Sequence, residues 1–140
     1  MKKIYTLGTD RRSGEDFVEI LHAYDVQALF DVRSIPSSRI PLFRKKALEQ
    51  LLSEEGIAYH YLGTELGGFR KGGYAEYTAT DDFRRGIDIL ESIALTKVSV
   101  LICAEKLPWK CHRKWIAREL NRRGWEVGHI IDKGKVWVPK

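Results

Sequence analysis

Apolar residues along this chain recur with two periods, and the two alternate. Short, near-continuous apolar runs at residues 4–7, 26–32, 57–62, 98–102 and 126–131 read as strands, the second of them buried on both faces. Between the runs, apolar residues return every three or four positions. They do so at Phe17, Ile20, Leu21 and Tyr24, across residues 44–54, at Phe83, Ile87, Leu90 and Ala94, and at Ile116 and Leu120 within residues 111–123. Helix stops and starts agree: Ser13-Gly14-Glu15-Asp16 resembles a capping box, Thr80-Asp81-Asp82 supplies a second cap, and Gly56 and Gly124 close helices. This alternation predicts a mainly parallel sheet of about five strands covered by helices on both faces, a three-layer α/β/α sandwich with right-handed crossovers. Val136-Trp137-Val138 reads as a short edge piece. No repeat, low-complexity tract or linker divides the chain, so residues 1–140 read as a single domain.

The segment Gly67-Gly68-Phe69-Arg70-Lys71-Gly72-Gly73-Tyr74 has four glycines in eight residues and predicts a long mobile loop. No apolar run approaches the roughly 18 residues of a membrane span, and the first residues lack a secretory core. The expectation is a cytoplasmic protein with no membrane partner and no cofactor. Nothing in the pattern bears on oligomeric state. Two cysteines fit a reducing compartment better than a disulfide scaffold.

Charge changes the picture through its distribution more than through the net value of +5. From Arg33 to Lys46 there are five basic residues and no acidic one; from Lys106 to Trp125 there are seven, against Glu119 alone. If the segments converge, the partner is an anion: a phosphate-bearing small molecule or a nucleic-acid backbone. Lys114, Arg118 and Arg122, four apart, read more simply as a solvated helix face. Tyr74, Tyr77 and Trp109 fall in predicted loops, where they either stack on bases or pack over the core edge.

Both cysteines belong to one strand–loop–helix unit, Cys103-Ala104-Glu105 at the end of a strand and Cys111-His112-Arg113 at the start of a helix. In an α/β sheet that edge is where ligands bind and where helix N–H groups favour anions. Cys111, near a helix start and beside Lys110, is the candidate nucleophile, its thiolate favoured by the helix dipole and by His112 or Arg113. Cys103 and Cys111 together are a candidate redox pair. Arg113 in a first helical turn is disfavoured by roughly 0.3–1 kcal/mol, so a bound anion or a carboxylate such as Glu105 or Asp31 is expected to compensate it. His112 is either a general acid/base or a hydrogen-bonding strut. A zinc site from Cys103, Glu105, Cys111 and His112 is disfavoured, because seven residues separate the cysteines.

Asp31-Val32-Arg33 ends the second strand on the same edge. Either these charges line the pocket with Arg113, or they lock the loop by pairing with each other. Arg39 and Arg70 are further anion candidates, and Glu65-Leu66-Gly67-Gly68 brings a carboxylate and a flexible lid to that edge.

These motifs, with Thr6-Leu7-Gly8 and the longer run Asp31-Val32-Arg33-Ser34-Ile35-Pro36-Ser37-Ser38-Arg39, resemble the domain of unknown function 488 (DUF488) family over nearly the whole chain. The resemblance implies an α/β sandwich and carries no reaction with it. Asp31-Val32-Arg33 also looks like a rhodanese strand end, but no cysteine loop closes on arginine: the sixth residue after Cys103 is Trp109, and after Cys111 it is Ala117.

The reading that follows is an enzyme acting on a phosphate-bearing or nucleobase-containing substrate. Cys111 is its nucleophile or redox thiol, Asp31, Glu105 and His112 are acid/base or orienting groups, and Arg33, Arg39, Arg70 and Arg113 hold the anion. The alternatives are a non-catalytic nucleic-acid-binding module and a two-cysteine redox-regulatory domain.

Overall fold

The computed structural model describes residues 2–139. The strands are β1 (Lys3–Gly8), β2 (Ala28–Asp31), β3 (Ala58–Tyr61), β4 (Ser99–Cys103), β5 (Glu126–Asp132) and β6 (Lys135–Trp137). They form one sheet in the order β3-β2-β4-β1-β5-β6. The first five run parallel and β6 pairs antiparallel to β5. The strand count therefore rises from about five to six. The added strand is three residues long, has its two outer residues exposed and so lacks the continuous apolar run of the others.

Helices α1 (Gly14–Ala23) and α2 (Lys45–Glu54) cover one face, where Phe17, Ile20, Leu48 and Leu52 pack on Leu29, Val100 and Ile130. The other face is covered by α3 (Gly63–Leu66), α4 (Tyr74–Tyr77), α5 (Asp81–Ala94) and α6 (Arg113–Arg122), which bring Leu66, Tyr74, Ile87, Leu90, Ile116 and Leu120 onto Phe30 and Leu101. Both predicted caps form: Ser13 Oγ accepts from Asp16 N at 3.0 Å and Thr80 Oγ1 from Phe83 N at 3.2 Å.

Because β4 is inserted between β2 and β1, the order of strand addition reverses there, which opens a crevice at the strands' C-terminal edge. Gly8 lies opposite Cys103 and Asp31 opposite Ile102, so three chain ends meet at one level. Gly8 has no room for a side chain: a Cβ there would lie 1.9 Å from the Glu105 carbonyl oxygen, so its absence lets the loop after β4 cross β1.

The glycine-rich segment, expected as a long mobile loop, is tethered at several points and ends in the short helix α4. Arg70 Nε donates to Gly67 O at 2.8 Å and its Nη2 to Thr64 O at 2.7 Å, closing the end of α3. Tyr74 is buried and its hydroxyl donates to Leu66 O at 2.8 Å, while Phe69 N donates to Ser34 Oγ at 3.0 Å. Gly72 and Gly73 have φ values of +85° and +94°, a conformation open to glycine, and the tethers come from tertiary contacts.

Candidate active site

Beyond β4 the chain crosses β1, makes a 3-10 turn at Pro108–Lys110 and reaches Cys111 in extended conformation, φ −143°. The helix begins at Arg113, two residues later than expected, with His112 at its N-cap. Cys111 is therefore not in the first turn. Its sulfur still receives the first helical amide: Arg113 N lies 3.3 Å from Cys111 Sγ, and Arg113 Nε lies 3.2 Å away.

Cys103 Sγ is 2.9 Å from Cys111 Sγ, and both cysteines are free thiols. Of the pair's two protons one is lost easily and the other is held between the sulfurs. The hydrogen bond from Cys103 draws the Cys111 pKa down, and the Arg113 charge and hydrogen bonds add to it; together they overcome burial and bring the thiol to about 6. Burial and the Cys111 contact push Cys103 the other way, well above the ordinary thiol range. At neutral pH the proton resides on Cys103 and Cys111 is the anion.

Arg113 is 0% exposed. Its other donors go to Thr6 Oγ1 (Nη1, 3.1 Å) and to the carbonyls of Glu105 (Nη2, 2.6 Å) and Lys106 (Nη2, 3.1 Å). Within the chain, the anion set against this cation is the Cys111 thiolate, and neither the Glu105 nor the Asp31 carboxylate pairs with it. A buried guanidinium needs such a partner. Thr6 Oγ1 in turn lies 2.6 Å from His129 Nδ1, and burial together with the Arg113 charge lowers the His129 pKa to about 4, keeping that ring neutral.

Asp31 and Arg33 lock onto each other. Asp31, 0% exposed, accepts from Arg33 Nε at 2.8 Å, Arg33 Nη2 at 2.7 Å and the Tyr59 hydroxyl at 2.6 Å. Arg33 Nη1 donates to Phe43 O at 2.6 Å, and the Asp31 interactions outweigh burial to hold the arginine's pKa up. Both carboxylate oxygens of Asp31 are thus occupied, and Arg33 lines the crevice with its guanidinium engaged by Asp31 and the Phe43 carbonyl.

The crevice has a volume of about 290 Å³ and is lined by Arg33, Ser34, Ile35, Ser37, Gly68, Phe69, Ala104 and Glu105 as well as by Cys103, Cys111 and His112. Glu105 is exposed, and its carboxylate makes no ion pair among the described residues. His112 Nε2 donates to Val32 O at 2.7 Å, so the proton of the neutral ring sits there and Nδ1 is an acceptor. Burial, then Arg113 and Arg70, depress the His112 pKa. A Cβ on residue 68 would come within 2.7 Å of Nδ1, so Gly68 lets this ring pack where it does.

The structure thus brings Cys103, Glu105, Cys111, His112, Arg33 and Gly68 together. It leaves six predicted residues outside, two of them, Asp31 and Arg113, buried. Arg39 is exposed away from the crevice lining. Glu65 turns its Cβ toward Gly86 of α5, Gly67 packs against Ser34, and Arg70 caps α3 and stacks on Tyr77 at 3.8 Å. The sequence reading missed Thr6, His129 and Tyr59. The available signal was polarity inside apolar strands, since Thr6 and His129 are direct neighbours across β1 and β5.

Fold and site together define an α/β sandwich protein with a cysteine pair and a buried arginine at the sheet's switch point. The chain belongs to the family described as domain of unknown function DUF488, whose model matches residues 13–120. That span includes both cysteines, His112 and Arg113 and stops short of His129. No curated protein matches the chain. Among the described residues, no helix is long and apolar enough to cross a membrane.

Proposed function

We propose that this protein is a thiol-based enzyme in which Cys111 is the nucleophile and Cys103 the resolving thiol, acting on disulfide-containing substrates. The observation that carries the reading is the position of Cys111 Sγ, 2.9 Å from Cys103 Sγ and 3.2 Å from Arg113 Nε, at the wall of an open crevice. The Cys111 thiolate attacks one sulfur of R–S–S–R′, forming Cys111–S–S–R and releasing R′–S⁻. Capping Cys111 removes the negative neighbour that helps hold the proton on Cys103, while Arg113 stays beside it. Cys103 then gives its proton to the departing thiolate and attacks Cys111 Sγ, so the Cys103–Cys111 disulfide forms and R–S⁻ leaves. An external thiol, oxidised in the process, returns the pair to its reduced state. Glu105, Ser37 and the Nδ1 of His112 are among the polar groups that line the crevice and can orient the substrate. A free pair of this kind fits the cytoplasm.

The test is exposure of the reduced protein to a small disulfide, followed by intact-mass measurement. The expected products are a protein lacking two hydrogens and, in Cys103→Ser, a mixed disulfide trapped on Cys111. A stable Cys111 adduct in the unaltered protein, with no internal disulfide, would remove Cys103 from the mechanism.

A further inference from the structure

A second recess of about 330 Å³ lies between α6 and β6, and neither cysteine lines it. Its aromatic wall is made by Trp109 from the 3-10 turn and Trp137 from β6, 48% and 43% exposed. Their ring centroids are 5.3 Å apart and the rings stand at 86°, while Trp137 rests on His129 at 5.4 Å. The opposite wall is one face of α6, with Lys114, Arg118 and Asn121 at helical spacing. Both cations lie over the Trp115 ring, and neither pairs with a carboxylate among the described residues. Arg122 and Arg123, further along the chain, differ: both are paired with Glu119, and Arg123 also with Asp88 and Glu91.

We infer that this recess binds a nucleotide unit, the base on the tryptophans and the phosphate on Lys114 and Arg118. Two exposed indoles cost solvation unless a flat ring covers them, and every nucleobase offers such a face. Unpaired cations four residues apart, with no acidic residue in the lining, select an anion on the same ligand. Perpendicular indoles let one base stack on one ring and abut the edge of the other. Asn121 supplies a donor and an acceptor at the same wall. The same chemistry is offered by a free nucleotide or by one residue of a single strand.

The test titrates the reduced protein with a short oligothymidylate and, separately, with thymidine monophosphate. The unaltered protein is expected to bind at least one of them. Joint replacement Lys114→Glu with Arg118→Glu, and separately Trp137→Ala, should each weaken binding about tenfold or more. Tighter binding of the strand, with a log–log salt slope of about −0.7 for the one phosphate neutralised, assigns a single strand; equal affinities assign the free nucleotide. Where Trp137→Ala impairs folding, the charge reversals still decide, because Lys114 and Arg118 are exposed. Absence of binding to both probes, or affinity untouched by the charge reversals, overturns the inference.

Discussion

Arg113 Nε and Cys111 Sγ, 3.2 Å apart, form an ion pair made within a single turn of chain, with the cation 0% exposed. Removing the fork of the guanidinium while keeping its charge separates the two contributions, because lysine cannot reach the sulfur, Thr6 and two carbonyls together. Arg113→Lys is expected to raise the Cys111 pKa from about 6 toward the ordinary 9.0, turning the thiolate from the main species at pH 7 into a minor one. It should also destabilise the fold by about 2 kcal/mol. The pH dependence of alkylation, with Cys103 replaced by Ser in both proteins, reads the first effect. An unmoved profile would mean that Arg113 is only a strut.

The hydrogen bond from Cys103 is the largest influence lowering the Cys111 pKa. Serine keeps a donor at that position and alanine does not. Ultraviolet thiolate absorbance should therefore titrate at higher pH in Cys103→Ala than in Cys103→Ser. Identical curves would leave the 2.9 Å contact without an electrostatic role.

The layers, the caps and the position of the cysteine loop were legible in the sequence because periodicity and helix caps are local. The role of Arg113 was not. A basic residue at a helix start looks like an anion receptor until the tertiary fold buries it, and the loop that contributes the Glu105 and Lys106 carbonyls to it folds back over Gly8. Thr6 and His129, 123 residues apart, become neighbours only when β5 is laid beside β1. Asp31 and Arg33 could be read either way from the sequence, and it is Tyr59 from the adjacent strand and the Phe43 carbonyl that complete their mutual lock.

Three shifted groups give the reduced protein a stability maximum at mildly alkaline pH. Cys111 is depressed from 9.0 to about 6, so the unfolded chain holds more protons in that window and stability is lost as pH falls through it. His129 is depressed from 6.5 to about 4, so the loss continues as pH falls between those values. Cys103 is raised, so its contribution is present below the ordinary thiol pKa and is lost as pH climbs above it. His129→Asn, which keeps an acceptor toward Thr6, should flatten the acid limb, a difference on the order of 3 kcal/mol at full development. Denaturant unfolding at several pH values checks it; an acid limb of unchanged slope would exclude His129 as its source.

Gly8 tests the loop that shapes the site. An alanine Cβ would meet the Glu105 carbonyl at 1.9 Å, a backbone atom that cannot rotate aside, and that same carbonyl accepts from Arg113 Nη2. Gly8→Ala should cost about 1–3 kcal/mol or more and also raise the Cys111 pKa by displacing the arginine. A stability loss without any change in alkylation profile would show that the loop moves and the ion pair does not.

If Asp31 and Arg33 serve the fold rather than the chemistry, their substitutions must be coupled to each other and uncoupled from Cys111. Asp31→Asn leaves a guanidinium facing a neutral amide, and Arg33→Met leaves a buried carboxylate with only the Tyr59 hydroxyl and one backbone amide. Each single change should cost about 3–5 kcal/mol, since an uncompensated buried charge remains. The double variant leaves no charge to strand, so its loss should fall well short of the sum of the two, and the alkylation pH profile of Cys111 should stay where it was. Denaturant unfolding of the four proteins closes the cycle. Additive losses would mean the pair is not a unit, and a shifted Cys111 profile would return both residues to the reacting site.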